Sequence, residues 1–325
     1  MALPLSVIDF ATVRENQSVG ESFADSVTLA RHAERLGYTR VWYAEHHNMP
    51  TIASSAPAVL IAHVAAHTER IRLGSGGVML PNHSPLTIAE QFGTLAELHP
   101  GRIDLGLGRA PGTDPRTLRA LRRSPESAES FPQDVKELRG YLTGNSLIPG
   151  VQAMPGAGTD VPLTILGSSL FGAQLAAAYG LPYAFASHFA PDALVDAVAA
   201  YRSQFQPSEQ LAEPYVIAAV NVIISEDAQD AARQLEATQR SRVKAMVGRG
   251  REFTDEEMDM VMASPAAAQI LHMISYTGAG TPDTVVDYLH RFAEHADADE
   301  LMISPTATRQ PDVLAAMELL ADNWN

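Results

Sequence analysis

Short apolar runs alternate with longer amphipathic segments along the whole chain, and this alternation predicts strands followed by helices. The runs predicted as strands are residues 4–9, 40–44, 71–78, 103–108, 162–166, 181–186, 215–224 and 300–304. They are continuously apolar rather than alternating, which is typical of parallel strands buried on both faces.

The amphipathic segments between these runs have helical periodicity. The first, residues 22–36, places Phe23, Val27, Ala30 and Ala33 on one face and ends at Gly37. The other predicted helices are residues 56–67, 86–98, 126–142, 170–179, 191–205, 282–295 and 313–322, and residues 226–275 are predicted to be mostly helical with a break at 248–250. Residues 109–124 read as a long loop, and the Gly/Pro-rich segment 149–160 as a hairpin or an excursion.

Eight strand–helix units in 325 residues favour a (β/α)8 barrel, an α/β fold, with a doubly wound sheet as the runner-up. No composition shift divides the chain, so we expect one domain over residues 1–325. The segment 226–275 is predicted to be an insertion or excursion from this fold.

Composition narrows the classes of function. A hydrophobic content of 46% is ample for a large core, and a net charge of −15 argues against nucleic-acid binding. The absence of cysteine excludes disulfides, thiolate metal sites and a cysteine nucleophile. The sequence has no basic, apolar leader and no apolar run of about 18 residues, so we expect a cytoplasmic protein without a membrane span.

Polar and glycine residues follow the predicted strands, where barrel active sites lie. These strand ends read Glu45-His46-His47, Gly76-Gly77, Gly108-Arg109, Gly167-Ser168-Ser169, Ser187-His188 and Ser304-Pro305. Such a concentration of His, Arg, Ser and Gly at one rim is the composition of a ligand site.

Two of these strand ends could hold a phosphate. Ser168 and Ser169 lie at a strand-to-helix junction, where unpaired backbone N–H groups favour anions, although either serine could simply cap the helix. Arg109 ends the neighbouring strand, and a guanidinium suits a phosphate dianion, although it could equally form a surface salt bridge.

The sequence contains no pattern that predicts a metal site or a dinucleotide-binding motif. Neighbouring strand residues point to opposite faces, so His46 and His47 are not expected to share an ion. His63 and His67 lack the glutamate of HExxH and are read as helix-surface residues. The pattern GxGxxG that begins at Gly106 fails because Pro111 stands at its third glycine.

The stretch LGSGGVMLPNHSP, residues 73–85, ends a predicted strand in glycines. Glycine weakens a strand, so either a turn or bulge occurs there or a flat group approaches the backbone itself.

Five stretches together carry a family resemblance: VWYAEHHNMP (41–50), ERIRLGSGGVMLPNHSPLTIAEQFGTL (69–95), GRIDLGLGRAPGTD (101–114), LGSSLFGAQLAAAYGLPYAFASHF (166–189) and DELMISP (299–305). The chain resembles the bacterial luciferase-like flavin monooxygenases. This resemblance implies a (β/α)8 barrel that binds FMN at its C-terminal mouth, with the flavin ring resting against a non-proline cis peptide that matches Gly76–Gly77.

The resemblance also implies roles for single residues. Arg109 matches the arginine that grips the FMN phosphate, Ser168 and Ser169 match the phosphate-binding helix start, and His46 matches the histidine that assists oxygen chemistry. Gly108 stands where the light-emitting luciferase has a cysteine, so aldehyde specificity is not implied.

The activity implied is a flavin-dependent monooxygenase that uses reduced FMN and dioxygen, through a C4a-hydroperoxyflavin, to oxygenate a small organic substrate. The missing dinucleotide motif and the resemblance both favour a separate flavin reductase that supplies the reduced FMN. A deazaflavin-dependent hydride-transfer enzyme on the same barrel and a non-enzymatic flavin-binding protein remain alternatives. The sequence leaves open whether the chain forms a homodimer.

Overall fold

The computed structural model of the chain describes residues 3–110, 112–248, 251 and 253–324. Its strands are β1 Leu5–Asp9, β2 Arg40–Tyr43, β3 Arg72–Met79, β4 Ile103–Gly108, β5 Leu163–Gly167, β6 Tyr183–Phe185, β7 Val216–Ile224, β8 Thr277–Gly280 and β9 Glu300–Pro305. Pro111, where the dinucleotide pattern fails, lies outside the described residues, as do Arg249 and Gly250 of the predicted helix break.

The strands form one parallel sheet that closes into a barrel. Their order is β6-β5-β4-β3-β2-β1-β9-β7, and β6 also pairs with β7 and completes the circle. The predicted (β/α)8 barrel is therefore confirmed, and the doubly wound alternative is wrong. Because the strands are parallel, their C-terminal ends meet at one mouth.

The sequence prediction missed β8, which pairs outside the barrel with the last residues of β7, Asn221 to Ile224. Its residues, Thr277–Gly280 (TGAG), are too few and too rich in glycine to give an apolar run. β7 is long enough to pair with β6 and β9 in its first part and with β8 in its last.

The α-helices lie mainly between consecutive strands of the barrel. They are α1 Val19–Arg35, α2 Pro57–Ala65, α3 Pro85–Leu98, α4 Pro115–Ala120, α5 Phe131–Leu142, α6 Leu170–Tyr179, α7 Leu194–Gln204, α8 Ala228–Val247, α9 Asp255–Met262, α10 Pro265–Met273, α11 Pro282–His295 and α12 Gln310–Asn323. The predicted insertion 226–275 corresponds to α8, α9 and α10, which share a small core of Val243, Met258, Ala267 and Ile270.

Two loop predictions need correction. The segment 109–124 is not wholly a loop, because α4 begins at Pro115 and Asp114 caps it by accepting hydrogen bonds from the backbone N–H groups of Arg116 (2.8 Å) and Thr117 (3.3 Å). Residues 149–160 contain turns and a cis Met154–Pro155 bond but no strand, so the excursion is right and the hairpin is wrong.

The apolar side chains form an outer and an inner core. The outer core lies between strands and helices and contains most of the buried residues. The inner core fills the barrel with Ile8, Trp42, Ala184, Ile217, Ala219 and Met302. Alternate residues of β7 supply the two cores, as expected for side chains that point to opposite faces of a strand.

A buried ionic network, here called the floor, closes the barrel at the N-terminal ends of its strands. Arg40 of β2 donates to Asp104 of β4 at 2.9 Å and to Glu300 of β9 at 3.0 Å. Arg72 also binds Asp104, and Tyr215 donates to Glu300 at 2.8 Å. Both carboxylates are almost completely buried, so their pairing matters for stability.

Within the described part of the chain, every helix is too short or too polar to cross a bilayer.

Candidate active site at the barrel mouth

The glycine-ended strand forms a bulge. The β3–β4 register shifts between Ser75 and Val78, so one extra residue lies on β3, and the peptide bond between Gly76 and Gly77 is cis, as the resemblance implied. A Cβ on Gly77 would lie 2.7 Å from the carbonyl oxygen of Gly106, and one on Gly76 would lie 3.0 Å from the Cβ of Trp42. Of the two explanations for these glycines, the structure shows the bulge, and the barrel wall itself fills the space that a side chain would need.

Arg109 and the start of α6 come together at the mouth. The Arg109 guanidinium lies 4.0 Å from the ring centroid of Phe171, in the first turn of α6, directly after Ser168 and Ser169. Arg109 is exposed and forms no ion pair with a described carboxylate, so the surface salt bridge considered as an alternative is not formed.

The hydroxyl groups of Ser168 and Ser169 also lack partners among the described residues. Ser169 is the N-cap residue of α6, but its side chain makes no capping hydrogen bond. Ser168 and Ser169 are exposed, and neither hydroxyl bonds to another described residue. Together with the unpaired N–H groups of the first helical turn, they leave a set of free donors beside Arg109.

His46 follows β2 and lies half-buried in the mouth. Its backbone N–H donates to Ser54 O at 3.3 Å, its Nδ1 lies 3.4 Å from Gly112 O, and its ring stacks on Phe10 at 6.2 Å. Burial lowers the pKa of His46 against the weaker opposing effects of Gly112 and Glu45. His46 is therefore a neutral imidazole near pH 7.

Glu45, directly after β2, is hydrogen-bonded to the end of β3 and to His83. Its buried carboxylate accepts hydrogen bonds from the Met79 backbone N–H at 2.9 Å and from the Nε2 atoms of His47 at 2.9 Å and His83 at 2.8 Å. Burial alone would raise the Glu45 pKa, but these bonds from His47 and His83 lower it to about 2. The ionised carboxylate thus joins the ends of β2 and β3 and positions the loop of His46.

His46 and His47 have different partners, because His47 bonds to Glu45 whereas His46 faces Gly112. Over the described residues, no group of three metal-binding side chains forms.

A second histidine, His188, reaches the same place from the end of β6. Its ring lies 6.0 Å from that of Phe10, which therefore stands beside both histidines. Burial and then the charge of Arg242 lower the pKa of His188 to about 3. Its Nδ1 is buried and has no partner among the described residues. The sequence placed His188 at a strand end but gave no role for it.

Arg242 of α8 completes this group. Its guanidinium is close enough to act electrostatically on both His46 and His188, its side chain is half-buried, and its Nε is buried without a partner in the described chain. No sequence motif marks Arg242, and its place at the mouth depends on how α8 packs against the barrel.

Comparison with known proteins identifies the fold's relatives. The model of the luciferase-like monooxygenase family matches residues 3–299. The chain belongs to this family.

Two curated relatives extend over nearly the whole chain. A luciferase-like monooxygenase of Escherichia coli (strain K12) is 45% identical over 323 residues, covering 98% of this chain and 96% of the relative. An N-acetyl-S-alkylcysteine monooxygenase of Bacillus subtilis (strain 168) is 29% identical over 327 residues, covering 98% and 97%.

Solved structures agree on the family's fold. Apo-MsnO8 is 36% identical, has a TM-score of 0.88 and is matched over 99% of this chain and 98% of its own. The oxygenating constituent of a Pseudomonas putida diketocamphane monooxygenase, in complex with FMN, has a TM-score of 0.75 at 16% identity, with the same coverage. A secondary alcohol dehydrogenase dependent on coenzyme F420 has a TM-score of 0.72 at 15% identity and matches both chains in full. At these low identities the last two support only the fold.

Proposed function

We propose that this family member is an FMN-dependent monooxygenase. Reduced FMN supplies two electrons to dioxygen, so that one oxygen atom enters the substrate and the other leaves as water. The observation that carries the proposal is Arg109, which has no carboxylate partner among the described residues and lies beside the free donors of Ser168 and Ser169.

These residues fit a phosphate. A dianion at the start of α6 would meet the guanidinium, two hydroxyls and the N–H groups of the first helical turn, all of which lack other partners in the described structure. The protein as a whole is strongly acidic, so a phosphate needs such a local set of donors.

The other end of the flavin fits the bulge of Gly76–Gly77, where the β3 backbone reaches the mouth without side chains. His46 stands at the same mouth as a neutral imidazole. With Nδ1 directed at the Gly112 carbonyl, its Nε2 is the atom available for reacting groups. We propose that His46 exchanges a proton at Nε2 with the oxygen being transferred, while Phe10 and the buried His188 exclude water.

The test is a titration of the protein with FMN, oxidised and reduced. Arg109→Ala should weaken binding by roughly 1.5–3 kcal/mol, the range for a hydrogen bond to a charged group. Arg233→Ala, which removes an exposed arginine of α8 that pairs with Asp230, is the matched control and should bind FMN like the unmodified chain. Equal affinity in all three proteins would assign Arg109 to something else.

The deazaflavin alternative is measured in the same titration. Exposed Arg116, Arg119 and Arg122 follow β4 and could line a groove for a longer polar tail. Tighter binding of the deazaflavin than of FMN, with hydride transfer in the absence of oxygen, would replace the monooxygenase proposal. A chain that binds flavin but turns over no substrate would support the non-enzymatic alternative.

We further propose that a separate flavin reductase supplies reduced FMN, because the one candidate dinucleotide motif in the sequence fails. Mixed with NADH or NADPH and FMN, the chain alone should consume negligible reduced nicotinamide, and an added reductase should restore product formation. Consumption near the typical enzyme median of about 10 per second by the chain alone would contradict this division of labour.

The substrate proposed is a small organic molecule, as in the Bacillus subtilis relative named for its action on N-acetyl-S-alkylcysteines.

A further inference from the structure

We propose that Arg242 binds a carboxylate of the substrate, with His46 and His188 beside it, so that this enzyme acts on an organic acid with an apolar body. The inference rests on the proposed function, in which the substrate enters this mouth, and it names the class of substrate.

The first observation is an unbalanced charge. Arg242 is half-buried on α8, its Nε is buried, and no described residue pairs with its guanidinium. Burial lowers its pKa, and no carboxylate among the described residues opposes the effect. Arginine stays charged in proteins, so this desolvation cost is offset only if an anion binds.

The second observation is the charge of the neighbours. Arg242 lies near His46 and His188, and burial keeps both imidazoles neutral near pH 7. Neutral imidazoles provide hydrogen bonds without adding charge. The group therefore carries a single positive charge, which matches a carboxylate monoanion better than a phosphate dianion.

The third observation separates Arg242 from the proposed phosphate site. Arg109 stacks on Phe171 at the start of α6. Arg242, by contrast, is close enough to the buried His188 for its charge to lower the pKa of that histidine. In the described part of the chain, Arg109 and Arg242 thus both lack a carboxylate partner and have different neighbours, and the phosphate of FMN needs only the one at α6.

The surroundings indicate the rest of the ligand. Phe10 contacts both histidine rings, and Phe189 meets His188 edge to face with ring centroids 5.0 Å apart. Phe189 is 37% exposed, which leaves aromatic surface beside the charged group. An acid with an apolar chain or ring would bury this surface while its carboxylate meets Arg242.

The experiment compares acids with their own amides by calorimetry, without flavin. The probes are phenylacetate, hexanoate and decanoate, each paired with its neutral amide. At least one acid should bind about 10–100-fold more tightly than its amide, the ratio expected for a hydrogen bond to a charged group. Arg242→Gln should abolish this preference, and Arg242→Lys, which keeps the charge but loses the planar fork, should retain part of it.

Arg233→Gln is the matched control, because it removes an equal charge from the exposed face of the same helix, where Arg233 pairs with Asp230 at 3.0 Å. It should leave the preference for acids unchanged. Arg242→Gln should also unfold at a midpoint no lower than that of the unmodified chain, since it removes an unpaired, partly buried charge.

The proposal is overturned if no acid binds more tightly than its amide, or if Arg242→Gln keeps the preference. It is also overturned if Arg242→Gln weakens FMN binding as Arg109→Ala does, because Arg242 would then belong to the flavin site. A preserved preference for acids in a protein that binds no flavin would support this site and refute the FMN proposal instead, so the two failures are distinguishable.

Discussion

His46 takes its proposed role from its immediate contacts. Its ring lies between the Phe10 face and the Gly112 carbonyl, and burial keeps it neutral. The neighbouring Glu45, ionised and bound to His47, His83 and Met79 N–H, holds the backbone that carries it. A neutral histidine with one free ring nitrogen can both accept and return a proton.

His46→Ala should therefore leave FMN affinity unchanged and slow oxygenation by at least about 100-fold, the lower range for acid–base catalysis. Less product and more hydrogen peroxide should form per flavin oxidised. His63→Ala, on the exposed face of α2, is the control and should behave like the unmodified chain. Unchanged rates and peroxide yield in His46→Ala would make His46 a structural residue.

Some residues of the candidate site could be predicted from the sequence and others could not. Arg109, Ser168 and Ser169 were predictable as neighbours, since consecutive strand ends of a barrel meet at one mouth, and the structure brings them together. Their ligand stays a prediction. Arg242 could not be found in this way, because its position depends on how α8 folds back over the barrel and no local pattern encodes that return.

At the scale of elements, the β3–β4 pair combines a bulge with tight backbone packing. The extra residue at Gly76–Gly77 shifts the register of β3 against β4, while Ser75 donates to Gly106 O at 2.8 Å and keeps the strands together. Gly106 is itself so close to Ser75 that a Cβ there would lie 2.2 Å from Ser75 O. The glycines of both strands therefore belong to one packing arrangement.

Gly77→Ala should lower the free energy of unfolding by about 1–3 kcal/mol or more, the usual cost of overpacking, because its Cβ meets backbone atoms of Gly106 that cannot rotate away. Urea denaturation measures the change. Gly20→Ala, at an exposed position of α1 with no atom nearer than 4.0 Å, is the control and should be neutral or slightly stabilising. Equal stability of the two variants would show that β3 accommodates a side chain.

Most elements with strong local signals were predicted, with α4 as an exception, and β8, which lacks such a signal, was not. The eight barrel strands gave clear apolar runs, and the structure confirms them as strands. β8 forms because β7 extends past the barrel and offers an unpaired edge, a reason that lies outside its own four residues. α4 did have a local signal, Asp114 before Pro115, which the loop prediction overlooked.

At the scale of the whole molecule, the arginines at the two ends of the barrel differ in their partners. The floor pairs Arg40 and Arg72 with Asp104 and Glu300, whereas Arg109 and Arg242 at the mouth lack carboxylate partners among the described residues. The C-terminal ends of barrel strands carry function and the N-terminal ends carry stability. Under the proposals made above, these arginines would let an acidic protein attract anionic ligands at the mouth without a basic surface elsewhere.

The floor should accordingly affect stability without affecting ligand binding. The Arg40 side chain is 16% exposed and bridges Asp104, 2% exposed, and Glu300, which is fully buried, so Arg40→Met leaves a buried negative charge uncompensated. We expect this variant to lose about 3–5 kcal/mol of unfolding free energy in urea, the cost of breaking a buried ion pair.

Two further variants serve as controls for the Arg40→Met experiment. Arg233→Met, which breaks an exposed pair on α8, should cost at most about 1 kcal/mol. The double variant Arg40→Met/Glu300→Gln should recover part of the loss, because the remaining amide keeps Ser6 and Tyr215 as neighbours and Asp104 keeps Arg72. FMN affinity should be the same in all variants that fold, since the floor lies at the opposite end of the strands from the mouth. A loss below about 1 kcal/mol in Arg40→Met, or an altered FMN affinity, would contradict this division between the two ends of the barrel.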